Sequence, residues 1–120
     1  MKNLKEIEAL EGLLYGNKKS ASLSIDDIIS SECWGIFHTE GILDRNGVTA
    51  SFLNKMKGHV IHSKTLTSCL TGKSSAILHY TTSAPDGLNI IHRISHWERD
   101  RKGRWQLTFH QVLPSRHSGV

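Results

Sequence analysis

The sequence is poor in cysteine and proline, and it has no long hydrophobic run. Its 120 residues include two cysteines and two prolines. Cys33 and Cys69 form no CxxC pair and cannot build the disulfide framework of a small secreted domain, so we interpret both as buried free thiols in a reducing cytoplasm. The longest apolar segments are much too short to cross a bilayer, which argues against a membrane partner.

Sequence signals for phosphate binding, nucleic-acid binding and export are also missing. The glycines of "DGLN" and "RKGR" are typical of turns rather than of a phosphate-binding loop. The net charge is +4, but the basic residues are scattered, so nucleic acid is not an expected partner. The segment "MKNLKEIEALEG" has acidic residues and no apolar core, so we expect no signal peptide. We therefore expect one cytoplasmic domain over residues 1–120, without a cofactor.

The first half of the chain predicts three helices. Residues 3–15 have apolar side chains at helical spacing, and Glu11 lies near the middle of that apolar face, where a carboxylate needs a partner or a cavity. Ser24 begins a near capping box and is typical of the start of a short second helix. Thr49 is predicted to cap a third helix that ends at Gly58.

Residues that favour strands dominate elsewhere. We predict a strand over 33–39, a bend at Gly41 followed by a brief strand, and an Asn-Gly turn at 44–47. Four longer strands are then predicted, at 59–70, 75–84, 88–99 and 104–112. Helices precede most of the strands, so the fold class is α+β, with the helices on one face of a long antiparallel sheet.

The segment "RISHWERDRKGRWQLTFHQ" predicts a hairpin whose two faces differ in chemistry. A three-residue turn ending at Gly103 would pair Trp97 with Leu107 and carry the same register on toward Gln111. One face then carries Arg93, Ser95, Trp97, Trp105, Leu107, Phe109 and Gln111, and the other carries His92, Ile94, His96, Glu98, Gln106, Thr108 and His110. The first face has both tryptophans, so we expect it to face the helices.

Polar groups on that inward face predict a partly polar cavity. A dry core would not tolerate Arg93 and Gln111 without partners, and Glu11 is a candidate partner for Arg93. A buried Arg–Glu pair is reasonable evidence for a polar-lined cavity. The alternative is that Arg93 and Gln111 lie at the rim of the sheet and cap helix ends.

The C-terminal motif resembles that of the nuclear transport factor 2-like superfamily, in particular a small uncharacterised bacterial single-domain group with the SnoaL/ketosteroid-isomerase-like fold. Upstream, Glu8 or Glu11, Gly41 and Tyr80 also fit, whereas Val112 and Leu113 depart from a Gly-Thr step in the family pattern. The matching residues of "RISHWERDRKGRWQLTFHQVLP" are Ser95, Trp97, Gly103, Trp105, His110, Gln111 and Pro114.

This resemblance implies a cone-shaped, curved antiparallel sheet wrapped around about three helices. It also implies a small-molecule pocket at the open end of the cone and a homodimer through the outer face of the sheet. The superfamily includes isomerases, dehydratases, polyketide cyclases and proteins without catalysis, so the fold does not determine the function.

We therefore expect a protein that binds a small organic molecule, with a carboxylate suiting Arg93. Tyr80, Trp97 and Trp105 would form apolar walls, and Arg93, Ser95 and Gln111 would hold polar atoms of the ligand. One alternative is an isomerase or dehydratase that uses Glu11 or His38 as its acid or base; Glu40 and Asp44 are further carboxylates for that role. Another alternative is a non-catalytic dimeric interaction subunit.

The chain has eight histidines, but their spacing does not predict a metal site. His92 and His96 share a face of a strand at about 13 Å, too far apart to hold one ion. With His110 they would form a patch on the outer face. If that face is a dimer interface, protonation near pH 6 should weaken it, and the alternative is a patch exposed to solvent.

Overall fold

A computed structural model describes residues 2–16 and 23–114 of the chain. Within those ranges no helix has the length and hydropathy needed to cross a membrane. The elements, in chain order, are α1 (Lys2–Leu14), α2 (Ile25–Ile28), β1 (Ile29–Phe37), β2 (Gly41–Leu43), α3 (Arg45–Leu53), β3 (Val60–Ile61), a 3₁₀ turn (Ser63–Thr65), β4 (Thr67–Gly72), β5 (Ser75–Ser83), β6 (Ile91–Arg99) and β7 (Trp105–Pro114).

The strands form one curved, unclosed sheet of seven strands, and the predicted α+β class is confirmed. Its order is β2-β1-β7-β6-β5-β3, and β4 also pairs with β5. All pairs are antiparallel except β1 with β7, which is parallel. The parallel pair needs a close approach, and Gly35 allows it, because a Cβ there would lie 2.6 Å from the carbonyl oxygen of its partner His110.

The hydrophobic core joins residues of the helices with the inner face of the sheet. Ile7 and Leu14 of α1, Phe52 of α3, and Trp97 and Leu107 of the sheet are all buried in one cluster. Each fully buried side chain of this kind contributes about 1.5–3 kcal/mol relative to exposure. The prediction that both tryptophans of the hairpin face inward is confirmed, since Trp105 is also buried.

The start of α3 differs from the prediction. Asp44, and not Thr49, is the N-cap, and its carboxylate accepts a hydrogen bond from the Gly47 amide at 2.9 Å. The Asn-Gly turn predicted at 44–47 is therefore the first turn of this helix, because an aspartate cap satisfies amides that a free turn would leave to water. Thr49 lies inside the helix and donates to the Arg45 carbonyl.

The single strand predicted over 59–70 is wrong, because it is interrupted by the 3₁₀ turn. Thr65 Oγ1 donates to the His62 carbonyl at 2.8 Å and accepts from the Thr81 amide at 2.9 Å. These side-chain bonds to the backbone compete with a regular ladder and divide the segment into β3 and β4.

A β-bulge between β6 and β7 changes the register of the hairpin. The predicted pair Trp97–Leu107 is confirmed, but His96 pairs with Phe109, so Thr108 is the extra residue. One extra residue turns every later side chain to the opposite face. As a result His110 and Val112 face inward, whereas the predicted inward positions of Phe109 and Gln111 are wrong.

Candidate functional site

A cavity of about 660 Å³ lies at the end of β6 and β7 that is far from their hairpin turn. Its walls include the apolar side chains of Phe37, Met56, Ile91 and Val112. The segment 84–90 that precedes β6 forms one side, and exposed Leu88 and Ile90 lie on it. Apolar walls with a few polar groups are typical of small-molecule sites.

Arg93 supplies the positive charge at this cavity. Its side chain is fully buried and lines the cavity. The guanidinium Nε donates to Thr82 Oγ1 at 2.7 Å, and Nη1 faces Met56 Sδ at 2.8 Å and His110 Nε2 at 3.4 Å. The Tyr15 ring centroid lies 5.1 Å from Cζ. Nη2 has no hydrogen-bond partner among the described residues, so a cationic donor is left unused beside the cavity.

The predicted contact between Arg93 and Glu11 is wrong. Glu11 is fully buried, but its oxygens accept bonds from Trp97 Nε1 at 2.7 Å, from Ser95 Oγ at 2.5 Å, and from the Tyr80 hydroxyl. None of the ion pairs between described residues involves Arg93. A buried guanidinium without a carboxylate in contact is unusual, since buried charges are normally paired.

Two polar side chains connect these buried charges. Ser95 Oγ lies 2.8 Å from His110 Nδ1, and His110 Nε2 faces Arg93 Nη1. Because Arg93 can only donate and Ser95 donates to Glu11, this network assigns His110 the tautomer with its proton on Nδ1. The hydrogen bonds therefore all point from Arg93 toward Glu11.

Burial sets the protonation of this network. It raises the pKa of Glu11 above its ordinary value, and the donors Ser95, Tyr80 and Trp97 and the charge of Arg93 offset only part of that rise. Burial lowers the pKa of His110 well below its ordinary value, and nearby Arg93 lowers it further. A neutral His110 agrees with the acceptor role of its Nε2.

His59 is a second polar group on the cavity wall. Its Nδ1 is buried and has no partner among the described residues. Burial and then the charge of Arg93 lower the pKa of His59, so the ring is neutral at pH 7. Two unpartnered nitrogens, on Arg93 and His59, thus belong to the same cavity.

Of the four predicted acid–base candidates, two line the cavity and two do not. His38 lines the cavity but is exposed, and Glu40 lines it in an ion pair with Lys55 at 2.7 Å. Glu11 does not line this cavity, and Asp44 is used as a helix cap.

Most of the predicted ligand-binding residues do not line this cavity either. Tyr80, Ser95 and Trp97 are buried and bonded to Glu11, and Trp105 packs in the core with Arg99 at 4.8 Å from its ring. Gln111 lies on the opposite face of the sheet because of the bulge. Tyr80, Ser95 and Trp97 thus belong to a polar network around Glu11, and the cavity lined by Arg93 lies beyond it.

Sequence reasoning missed the cavity position of His59 and the inward position of His110. His59 was expected at the start of a strand, but it lies in the loop before β3, whereas Met56, expected to face inward, is buried on the cavity wall. His110 could be found only from its place in the matching motif, since strict alternation along β7 puts it on the outer face.

The outer face of the sheet carries a second group of side chains. Trp34 is 46% exposed, and its ring centroid lies 4.8 Å from that of Phe109. His79 and His92 stack with centroids 5.7 Å apart. His110 does not belong to this patch, so the predicted trio of His92, His96 and His110 is wrong. Cys69 is exposed rather than buried, whereas Cys33 is buried as predicted, and both are free thiols.

Comparison with known proteins places the fold. The sequence matches no protein-family model. It also has no detectable match among curated proteins. Solved structures do match it.

An NTF2-like protein of unknown function from Pseudomonas aeruginosa has a TM-score of 0.67 and 15% identity, over 97% of this chain and 100% of that chain. A protein of unknown function from the DUF3225 family of Pectobacterium atrosepticum has a TM-score of 0.67 and 12% identity, over 94% and 88%. A cystatin-like fold protein from Burkholderia xenovorans has a TM-score of 0.62 and 12% identity, over 96% and 90%. The chain therefore has the nuclear transport factor 2-like, or cystatin-like, fold.

Proposed function

We propose that this protein binds a small organic carboxylate in the cavity, with Arg93 as the residue that holds the anion. The observation that carries the proposal is the unpartnered Nη2 of a fully buried arginine on the cavity wall. A carboxylate oxygen there would accept a charge-assisted hydrogen bond and would place a negative charge against the buried guanidinium.

The other wall groups support an anion with an apolar body. Phe37, Met56, Ile91 and Val112 offer apolar contact, and a volume of about 660 Å³ lies in the usual range for small-ligand sites. His59 Nδ1 could accept a hydrogen bond from a hydroxyl of the ligand, since its neutral ring leaves that nitrogen free. A carboxylate with an aliphatic or aromatic body would contact both the apolar side chains and the polar groups of the cavity.

We propose binding rather than catalysis. The isomerase or dehydratase alternative needs an acid or base on the cavity wall, and Glu11 does not lie there. His38 and Glu40 do, but His38 is exposed, so that water competes for its ring, and Glu40 is paired with Lys55. His59 also lines the cavity, but its lowered pKa makes it a weak base. The free thiols suit a reducing compartment, so the proposed location is the cytoplasm.

We also propose that a second copy of the chain covers the outer face. Trp34 and Phe109 form an exposed aromatic pair on that face. His96 lies beside this pair, and the stacked pair His79–His92 lies further along the sheet. A two-fold axis through Trp34 and Phe109 would bury this aromatic surface and bring the histidines of the two copies into one interface, which favours a homodimer.

The ligand proposal is tested by comparing hexanoate with hexanamide, which has the same body and no charge. Titration calorimetry should detect hexanoate, and hexanamide should bind at least about tenfold more weakly, since a charge-assisted bond contributes about 1.5–3 kcal/mol. Arg93→Gln should weaken hexanoate binding to a similar extent.

The matched control is Arg104→Gln, because Arg104 is an exposed arginine in the hairpin turn, far from the cavity. It should leave hexanoate binding unchanged. Equal binding of acid and amide by the unmodified protein would contradict the proposal, whether or not the Arg93 variant folds.

A further inference from the structure

Glu11 and Arg93 are both fully buried, yet they are joined only through other side chains. The path runs from Arg93 to His110, from His110 to Ser95, and from Ser95 to Glu11, over distances of 3.4, 2.8 and 2.5 Å. Arg93 belongs to the cavity and Glu11 does not. A ligand in the cavity therefore lies beside the positive member of this pair and away from the negative one.

We propose that Glu11 is a proton-binding site coupled to the anion site, so that an anion bound at Arg93 is accompanied by a proton taken up at Glu11. This inference rests on the proposed function, because it requires an anion at Arg93. It concerns the regulation of that site by pH, which requires both the anion bound at Arg93 and the proton bound at Glu11.

Arg93 is the charge on which an ionised Glu11 depends. The titratable groups around Glu11 among the described residues are Tyr15, directly after α1, Tyr80 of β5, Arg93 of β6 and His110 of β7. Burial raises the pKa of both tyrosines, so they stay neutral at pH 5–8, and it lowers the pKa of His110 well below its ordinary value, which favours the neutral ring. Arg93 keeps its charge throughout this range.

A ligand anion would compete with Glu11 for this one positive charge. Burial has already raised the pKa of Glu11, and Arg93 partly offsets that rise. Once an anion neutralises Arg93, the offset is lost and the pKa of Glu11 rises further. Because linkage is reciprocal, anion affinity increases as pH falls through the range between these two pKa values, and it decreases as pH rises.

His59 and His110 could also take up a proton when an anion binds, because the charge of Arg93 contributes to the lowered pKa of each. His59 lies on the cavity wall. An anion at Arg93 would raise the pKa of both histidines, so the experiment must separate them from Glu11. The ligand must also keep its charge at every pH used.

The test uses 1-hexanesulfonate, which stays anionic from pH 5 to pH 8. Its dissociation constant is measured by calorimetry at pH 8.0 and pH 5.5, in two buffers with different heats of ionisation, so that proton uptake is counted directly. The proteins are the unmodified chain, Glu11→Gln, which keeps the shape of the side chain but cannot titrate, and His59→Gln, which removes the titratable group of the cavity wall and is compared only for its pH dependence and proton uptake.

Unmodified protein and His59→Gln should bind hexanesulfonate at least about fivefold more tightly at pH 5.5, with uptake of protons. Glu11→Gln should lose most of this pH dependence and most of the proton uptake. A pH effect that persists in Glu11→Gln and is lost in His59→Gln would overturn the inference and assign the proton to His59.

Binding without any proton uptake would also overturn it, while leaving the proposed anion site intact. No binding at either pH would instead refute the proposed function. If Glu11→Gln does not fold, the number of protons taken up on binding is compared between the unmodified protein and His59→Gln. Loss of uptake in His59→Gln refutes the role of Glu11, and undiminished uptake supports it.

Discussion

At the scale of single residues, the buried network around Glu11 is the main departure from an ordinary core. Three donors from β5 and β6 converge on one carboxylate in the interior, and all of them are buried with it. A buried donor that loses its acceptor costs about 1–3 kcal/mol, which makes this network sensitive to a single truncation.

Glu11→Ala should lower the free energy of unfolding by about 3–5 kcal/mol, because it leaves the Tyr80, Ser95 and Trp97 donors unsatisfied and Arg93 uncompensated. The control is Glu8→Ala on the same helix, where a partly exposed carboxylate accepts one bond from Ser68. It should cost less than about 1 kcal/mol. Urea denaturation measures both values, and equal losses would mean that Glu11 has no special role.

At the scale of secondary structure, local signals predicted where elements lie better than how they pair. The apolar period of α1 and the strand-favouring residues of β5 placed both elements within a few residues. The bulge at Thr108 could not be predicted, because no local signal in the sequence marks it; it lies where β7 pairs with both β1 and β6. The cavity was therefore expected around Trp97 and Ser95, whereas Arg93 alone of the predicted ligand-binding residues lines it.

The register after the bulge is tested by lysine substitutions at adjacent positions of β7. Val112→Lys should lower the free energy of unfolding by about 3 kcal/mol, because it places a second cation beside buried Arg93. Gln111→Lys should change it by less than about 0.5 kcal/mol, since that side chain lies on the outer face. Chemical denaturation distinguishes these results, and the reverse order would restore the register expected from strict alternation.

At the scale of the whole molecule, the two faces of the sheet have different proposed roles. The inner face holds the core, the polar network and the cavity. The outer face presents Trp34, Phe109 and the stacked His79–His92 pair, together with His96, whose Nδ1 lies 3.4 Å from Glu98. Histidines at an interface between two copies would repel one another when protonated.

Light scattering should show a dimer at pH 8 and a shift toward monomer at pH 5.5. Trp34→Ser, which removes the most exposed aromatic of the outer face, should give a monomer at both pH values. A dimer that persists unchanged at pH 5.5 would exclude the switch. A monomeric unmodified protein at pH 8 would exclude the dimer itself.

The central claim is that Arg93 holds a carboxylate in the cavity, and a crystal structure with 6-bromohexanoate tests it most directly. Bromine can be located by its anomalous scattering, and the carboxylate can then be placed in the density. This account predicts a carboxylate oxygen about 2.7–2.9 Å from Arg93 Nη2, with the bromoalkyl chain among Phe37, Met56 and Val112. A ligand bound elsewhere, or with its carboxylate turned away from Arg93, would contradict the account.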